Sequence, residues 1–569
     1  MYGEKTSRLN YIWKFGKRYL IAFLIAEICI LVSYAVSVFL PLNLTRLTDD
    51  VLYGSNYSLL PIVIRDYCIL FIISTAFNFI YAFVWQYLNN HYILDIKNEM
   101  FKSVIYSKAS YLSRMNSGDL MTRIDYDSEQ FIHVVQRNLF HFINSVFMCA
   151  GIIIVVAQIN GFIAALLVIA AILPIVFTRI GGRFTEKYSR ASRELSGELT
   201  GRLYEVLKGI REIKILNAFS WAEKKIIAPI QKLLLLGNKT RGVSFTVNKY
   251  IELINILSTI SIYGVSVFFV LRDSLSVGLF LAVIQYVSLL HRKFNWILRI
   301  WQDWYIRKVS IDRVTEILEL EQDVSGHVEV KRINTVEFKN VGFEYEKGSP
   351  VLKDFNMLIN FGEKVGIVGQ SGNGKTTVTS LLLGLYPVNS GDILINGIPL
   401  PQINQAQLRK RLGVVSQDVM IFEDTIRYNL NLGEEYSDED IYSALQAVEL
   451  LEIVNTLPKK VDTVISATSH NLSGGQKQRL MIARMLLRKP EFIIMDEATS
   501  ALDVETEKVV LQAIKTILGK ATVLVVSHRF ESIRDCDKIV VINNYTAEAV
   551  GTHESLIRKS PTYMVLFGR

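Results

Sequence analysis

At 569 residues, the chain holds about four domain equivalents of roughly 150 residues each, which excludes a single small module. Half of its residues are hydrophobic and 20% are charged, with a mean hydropathy of +0.28; this excludes a disordered or acidic scaffold and makes a membrane protein the leading class. The 62 Lys and Arg against 54 Asp and Glu leave a net charge of +8, which in a membrane chain points to cytoplasmic loops facing anionic lipid before it points to nucleic acid.

In chain order, apolar runs near the roughly 20 residues that cross a bilayer occur at Tyr19 to Leu42, Tyr67 to Leu88, Leu139 to Ile159, Phe162 to Phe177, Tyr250 to Leu271 and Leu275 to Leu298. Six spans are therefore expected. The first is too long for a signal-peptide core and has no A-x-A cleavage pattern after it, so it is expected to be retained. Lys5, Arg8, Lys14, Lys17 and Arg18 precede it, the second-to-third connection carries Lys97, Lys102, Lys108, Arg114, Arg123 and Arg137, and the fourth-to-fifth is densely basic from Arg179 through Arg241. The other connections are short and lack this excess, so the basic ones read as cytoplasmic and both termini as inside.

The two long cytoplasmic connections carry helical spacing, in Phe101, Val104, Ile105 and Lys108, and in Leu199, Leu203, Val206 and Ile210. The spans are expected to continue as helices into the cytoplasm, the plainer alternative being ordinary solvated hairpins. Cys29, Cys68, Cys149 and Cys536 show no metal-ligand spacing and read as packing residues. After Trp304 the apolar spans stop. A membrane domain over 1–306, a charged helical linker over 307–327 and an α/β domain over 328–569, with short strands alternating with helices, are the expected divisions.

Within that last domain, Gly369-Gln-Ser371-Gly372-Asn-Gly374-Lys375-Thr376-Thr377 follows the apolar strand Lys364 to Val368 and precedes the helical run Val378 to Leu385. This is the setting of a phosphate-binding loop rather than of a chance Gly-rich turn. Its backbone N–H groups would cradle phosphates, Lys375 would reach the β and γ phosphates, and Thr376 would offer its hydroxyl to Mg²⁺. Downstream, Phe492 to Met495 is a buried-type strand ending in Asp496 and Glu497, one carboxylate for the metal and one for the attacking water. Between them, Leu472-Ser473-Gly474-Gly475-Gln476 opens a helix carrying Lys477, Gln478, Arg479 and Arg484. Taken alone, it could be only a helix cap.

Together these segments resemble the nucleotide-binding domain of an ATP-binding cassette (ABC) transporter, the pentapeptide matching that family's signature. The resemblance extends over nearly the whole chain. Six spans followed by one such domain look like an exporter-type half-transporter: a six-span all-α membrane domain with long cytoplasmic extensions, joined to an α/β P-loop ATPase. It implies ATP and Mg²⁺ as cofactors. Gly369, Ser371, Gly372, Gly374, Lys375, Thr376 and Thr377 would hold the phosphates of one nucleotide, and Ser473, Gly474, Gly475 and Gln476 those of another subunit's. Tyr345 resembles the ring that stacks on adenine, Gln417 the glutamine that meets Mg²⁺ and water, His528 the switch histidine, and Ser500 to Asp503 the loop at the dimer interface. Thr376, Gln417 and Asp496 would be the metal ligands, and Glu497, Gln417 and His528 the catalytic set. The stretch from Gly118 through Arg123 with Asp127, and Gly209 to Lys214 with Phe219 and Glu223, resemble the two coupling segments.

One departure stands out: Ser466-Ala467-Thr468-Ser469 occupies the place of the family's Gly-Glu-x-Gly pattern, which puts the tightness of coupling in doubt. The intact Glu497 and signature imply a homodimer with two competent sites. The setting implied is a bacterial inner or cell membrane, crossed several times. The expected cargo is a mature peptide or drug-like amphipath, with a lipid or lipid-linked glycan as the alternative. No cysteine-protease domain is expected before the first span. An ATP-gated channel or tethered sensor is the reading from another class, disfavoured by Glu497, while a DNA-repair or chromosome-structuring ATPase lacks the spans. Glu27, inside the first span, is a functional candidate because a buried carboxylate is costly there; Asn78, Asn144, Asn255 and Gln285 are candidate cavity polars or interhelical hydrogen-bond partners.

Overall fold

The computed structural model describes residues 16–112, 115, 117–132, 139–323, 325–370, 372–416, 419–465, 472–497, 512–514, 516–517, 519 and 521–567. The chain forms two compact units, dividing at 322/323, with residues 108–110 grouped with the second.

The first unit is helical. Its long helices are α1 (Leu20–Arg46), α2 (Leu60–Ile105), α3 (Leu139–Ile159), α4 (Gly161–Lys208), α5 (Phe219–Leu271) and α6 (Val277–Leu318), and among the described residues six segments are long and apolar enough to cross a membrane. Four of the six helices exceed 40 residues, so their apolar stretches continue into polar helix, and α6 runs on through the charged stretch after Trp304. The bundle turns many large apolar side chains outward, among them Ile21, Phe79, Phe83 and Leu271, which suits a lipid solvent. Inside, packing centres on Met148, Ile152 and Val156 of α3, Ile163 and Leu167 of α4, and Val283, Tyr286 and Leu290 of α6.

Polar groups tie helices together, as expected where no water competes. Asn78 Nδ2 donates to Ser33 Oγ at 2.7 Å and Asn255 Nδ2 to Asn295 Oδ1 at 3.4 Å. Tyr286 donates its hydroxyl to Val38 O at 2.6 Å. Gln285 is exposed. At the head of α6, Asp49 accepts from the Ser276 hydroxyl and, at 2.8 Å, from the Gly278 N–H. A carboxylate there neutralises the first, unpaired N–H groups of the helix.

Around the first of the two segments resembling coupling elements, charges interlock. Asp119 and Glu316 hold Arg123 at 2.8 and 2.5 Å, and Arg313 pairs with Asp119 and, at 2.8 Å, with Asp127. Asp127 is buried, and that burial holds its carboxyl above the ordinary range despite the hydroxyl of Ser310 and the arginines beside it. The second segment forms a short helix, Ile210–Ile215, between α4 and α5.

The second unit holds three sheets among its described residues. An antiparallel sheet runs β2 (Pro350–Asn360), β1 (Thr335–Glu344), β4 (Ser390–Ile395), β5 (Ile398–Pro399). A six-stranded sheet runs β12 (Thr546–Gly551), β11 (Lys538–Asn543), β3 (Lys364–Gly369), β10 (Thr522–Val526), β9 (Phe492–Asp496), β6 (Leu412–Val415); it is parallel except for β12. The third is the pair β7 (Asp424–Thr425) and β8 (Val464–Ile465). Strands β3, β9, β10 and β11 are largely apolar and rich in Val and Ile because both faces are covered, as a parallel sheet requires. One face joins a core with β1, β2 and β4; the other packs on helices including α8 (Asp438–Ala447) and α9 (Gly474–Leu487).

Candidate nucleotide site

Register places the ends of the strands that carry Gly369 and Asp496 at one edge. Val526 pairs with both Ile367 and Asp496, and Val415 with Met495, so Gly369, Asp496, Ser527 and Ser416 all emerge from the carboxyl ends of adjacent parallel strands. That edge is where open α/β sheets bind ligands.

The loop after β3 winds tightly into helix α7 (Lys375–Leu382). Gly374 has φ +85°, and a Cβ there would lie 2.9 Å from Val351 Cγ1 and 3.0 Å from its carbonyl oxygen. Gly372 is also left-handed. Lys375 is buried and donates to Gly369 O and Gln370 O, both at 2.9 Å. Burial lowers its ammonium below the usual lysine range, opposed by the charges of Glu497 and Asp496. The lysine is thus folded over the loop it would serve, on carbonyl oxygens that a phosphate would replace.

Asp496, at the end of β9, is buried. Thr379 donates to its Oδ2 at 3.2 Å and Thr376 to its Oδ1 at 3.5 Å. Burial raises its carboxyl above the ordinary range; the two hydroxyls and Lys375 offset this only in part, and neighbouring Glu497 adds to it. A buried carboxylate beside a threonine hydroxyl is an oxygen set suited to a hard divalent cation. Among the described residues no group of three or more His, Cys, Asp or Glu could hold a metal.

Glu497 has φ +49°, uncommon for a non-glycine residue. Its N–H is held by Val526 O at 2.9 Å, and its Oε1 lies 3.2 Å from His528 Nε2. Gln478 Nε2 donates to its carbonyl at 3.4 Å. Thr379 was not singled out from the sequence, though it could have been found one turn beyond Thr376 on the same helical face; Gln478 was named there only as part of the helix after the signature, and it meets Glu497 only through the tertiary fold.

Tyr345 is partly exposed, with its hydroxyl 3.1 Å from Thr377 Oγ1 and its ring edge-on to Tyr386, centroids 5.2 Å apart. At the head of α9, Ser473 and Gln476 form a reciprocal capping box: the Ser473 N–H donates to Gln476 Oε1 at 2.7 Å and the Gln476 N–H to Ser473 Oγ at 3.3 Å. The cap and the signature are thus the same residues, and no hydrogen bond among the described residues links them to the loop after β3. Ser371, Gln417, Ser466 to Ser469 and Ser500 to Asp503 lie outside the described residues.

A phosphate-type loop, paired carboxylates and a capped glycine helix on one α/β unit, with a six-helix apolar unit before it, define an ATPase fused to a membrane domain. Residues 352–500 match the family described as ABC transporter, and residues 23–294 the ABC transporter transmembrane region. An uncharacterized ABC transporter ATP-binding protein of Bacillus subtilis, YwjA, is 30% identical over 92% of both chains. An ATP-dependent lipid A-core flippase of Escherichia coli is 28% identical over 95% of this chain and 94% of its own. A solved structure described as a bacterial Atm1-family ABC exporter with ATP bound superposes with a TM-score of 0.89, at 23% identity, over 97% of this chain and 98% of the other. The chain belongs to the ABC transporter family. It is a multi-pass membrane protein with half-transporter architecture and the exporter fold, a transport-coupled ATPase that binds ATP, and that architecture implies dimerisation.

Proposed function

We propose that the chain works as a homodimer that moves an amphipathic or hydrophobic molecule, a mature peptide or drug-like compound, out of a bacterial cytoplasm, with both termini inside. The observation that carries this is the meeting of Lys375, Asp496, Glu497 and His528 at one sheet edge in a chain whose other half is a membrane bundle. Lys375, released from the carbonyls of Gly369 and Gln370, would bind the β and γ phosphates. Thr376 and Asp496, with Gln417, would hold Mg²⁺, which when bound neutralises phosphate charge. Glu497 would orient and deprotonate the attacking water, its side chain positioned by His528. A cycle of two bound nucleotides would need Ser473 to Gln476 of one protomer over the phosphate loop of its partner.

The membrane unit supplies space for cargo. A cavity of about 530 Å³ between α5 and α6 is lined by Glu252, Asn255, Thr259, His291, Asn295 and Arg299 among others. A second reading, a flippase for a lipid or lipid-linked glycan, is favoured by the relatives named lipid A-core flippase. Mg²⁺-dependent ATPase of the protein in lipid nanodiscs, with peptides, drugs and lipid-linked glycans added, separates the two; Glu497→Gln is the blank. Selective stimulation by peptides or drugs supports export, and stimulation by glycolipids alone replaces it with flipping. Turnover equal to the blank removes the catalytic assignment.

A further inference from the structure

Glu27 lies in the first third of α1 (Leu20–Arg46), partly buried, and accepts a hydrogen bond from Asn144 Nδ2 of α3 at 3.3 Å. No lysine, arginine or histidine among the described residues pairs with it. Two buried polar atoms beside it are also unpartnered: Asn144 Oδ1, on a fully buried residue, and the Tyr81 hydroxyl, on a residue 8% exposed. A carboxylate and two unsatisfied oxygens inside a membrane bundle are costly unless something answers them.

Aromatic rings fill the surrounding positions. Phe23 lies one turn before Glu27 on α1, and Phe140 and His141 one turn before Asn144 on α3. Phe23 stacks on Phe140 with centroids 5.1 Å apart, Tyr81 on Trp85 at 5.5 Å, and Trp85 meets His141 at 6.0 Å. Trp296 of α6 closes the group, 5.7 Å from His141 and 39% exposed. Two turns along the same face of α1, Lys293 Nζ sits 4.0 Å over the ring of Tyr34, so ring faces in this bundle already receive an ammonium. Ring faces with one unpaired carboxylate attract a bulky cation of diffuse charge. A small hard cation would need more oxygen ligands than these.

We propose that Glu27 with the rings of Tyr81, Trp85, Phe140 and Trp296 forms a recognition site for lipophilic organic cations. This deepens the export reading and rests on it for transport, though binding itself does not need nucleotide. Tetraphenylphosphonium and tetraphenylborate are near-equal in size and opposite in charge. Their binding to the full chain in nanodiscs, measured by equilibrium dialysis against protein-free nanodiscs without ATP, is expected to favour the cation.

Glu27→Gln keeps an acceptor for Asn144 but removes the charge, and is expected to weaken cation binding about tenfold while sparing the anion. Glu27→Asp is expected to keep the preference for the cation. Equal binding of both ions by the wild type, or unchanged cation binding in Glu27→Gln, overturns the proposal. Basal ATPase reports whether each variant is folded. If Glu27→Gln lacks it, Trp85→Leu takes its place, with a several-fold loss expected and no loss overturning the proposal. Cation binding without any wild-type ATPase would defeat the export reading and leave the site standing.

Discussion

At Gly374 the backbone conformation and the space are both closed to a side chain, since φ is +85° and Val351 stands 2.9 Å from where a Cβ would be. Gly374→Ala is therefore expected to displace the loop and weaken ATP binding at least about tenfold, at a conformational cost of roughly 1–2 kcal/mol; fluorescent-nucleotide titration reads this. Glu497→Gln is expected to bind ATP normally and lose about 10²- to 10⁴-fold in turnover, the range a positioned general base contributes. Near-normal turnover would remove Glu497 from that role. Asp496 carries a different consequence. Its raised carboxyl favours the protonated folded state below the ordinary carboxylate range, an advantage lost as pH rises through the raised value. At neutral pH the ionised group is a burden, so Asp496→Asn should raise the nucleotide-free melting temperature by about 2–4 °C, corresponding to about 1 kcal/mol, while abolishing further stabilisation by MgATP. Scanning fluorimetry with and without MgATP checks both. The Asp496–Glu497 pair and the loop around Gly374 were legible because their chemistry is local in sequence, whereas the His528–Glu497 contact and the carbonyl bonds of Lys375 are products of strand order and loop closure.

Among elements, helix periodicity carried the reading furthest. The apolar run Tyr250 to Leu271 marked only the last part of α5, which begins at Phe219, but the spacing in both long connections already pointed to helices continuing past the spans. The capping box at Ser473 was visible as a Ser-x-x-Gln pattern. The tie from Asp49 to the head of α6, which supplements the cap Ser276 places on the Leu279 N–H, was not readable, because Gly278 lies more than two hundred positions away and nothing local joins them. Its removal in Asp49→Ala should cost about 1 kcal/mol, typical of a lost N-terminal cap, seen as a lower melting temperature in nanodiscs. A second tie holds the last helix, Pro561–Phe567, to β12. Burial raises the Glu548 carboxyl, but Ser560 and Thr562, each donating at 2.6 Å, and Asn543 at 2.8 Å outweigh it and hold the group below the ordinary range. Stability from such a group is present above the unfolded carboxylate range and disappears as pH falls through the lowered value. Glu548→Gln should thus melt about 1–2 °C lower at pH 7, with the difference closing below about pH 4.

On the scale of the whole molecule, the half-transporter architecture calls for a second half, and native mass spectrometry should find a species of twice 64.8 kDa. The long helices of the membrane unit set what such an assembly can do with a small movement. At 1.5 Å per residue, the 53 residues of α5 make a rod of about 80 Å. A tilt of about 5° at one end carries the other through about 7 Å, roughly the width of a small substrate. Pro229 sits within the first quarter of that rod, where its missing N–H leaves one backbone bond unmade. The helix is thus a lever with its softest point built in near one end, and stiffening Pro229→Ala would test whether transport needs the bend or only the length.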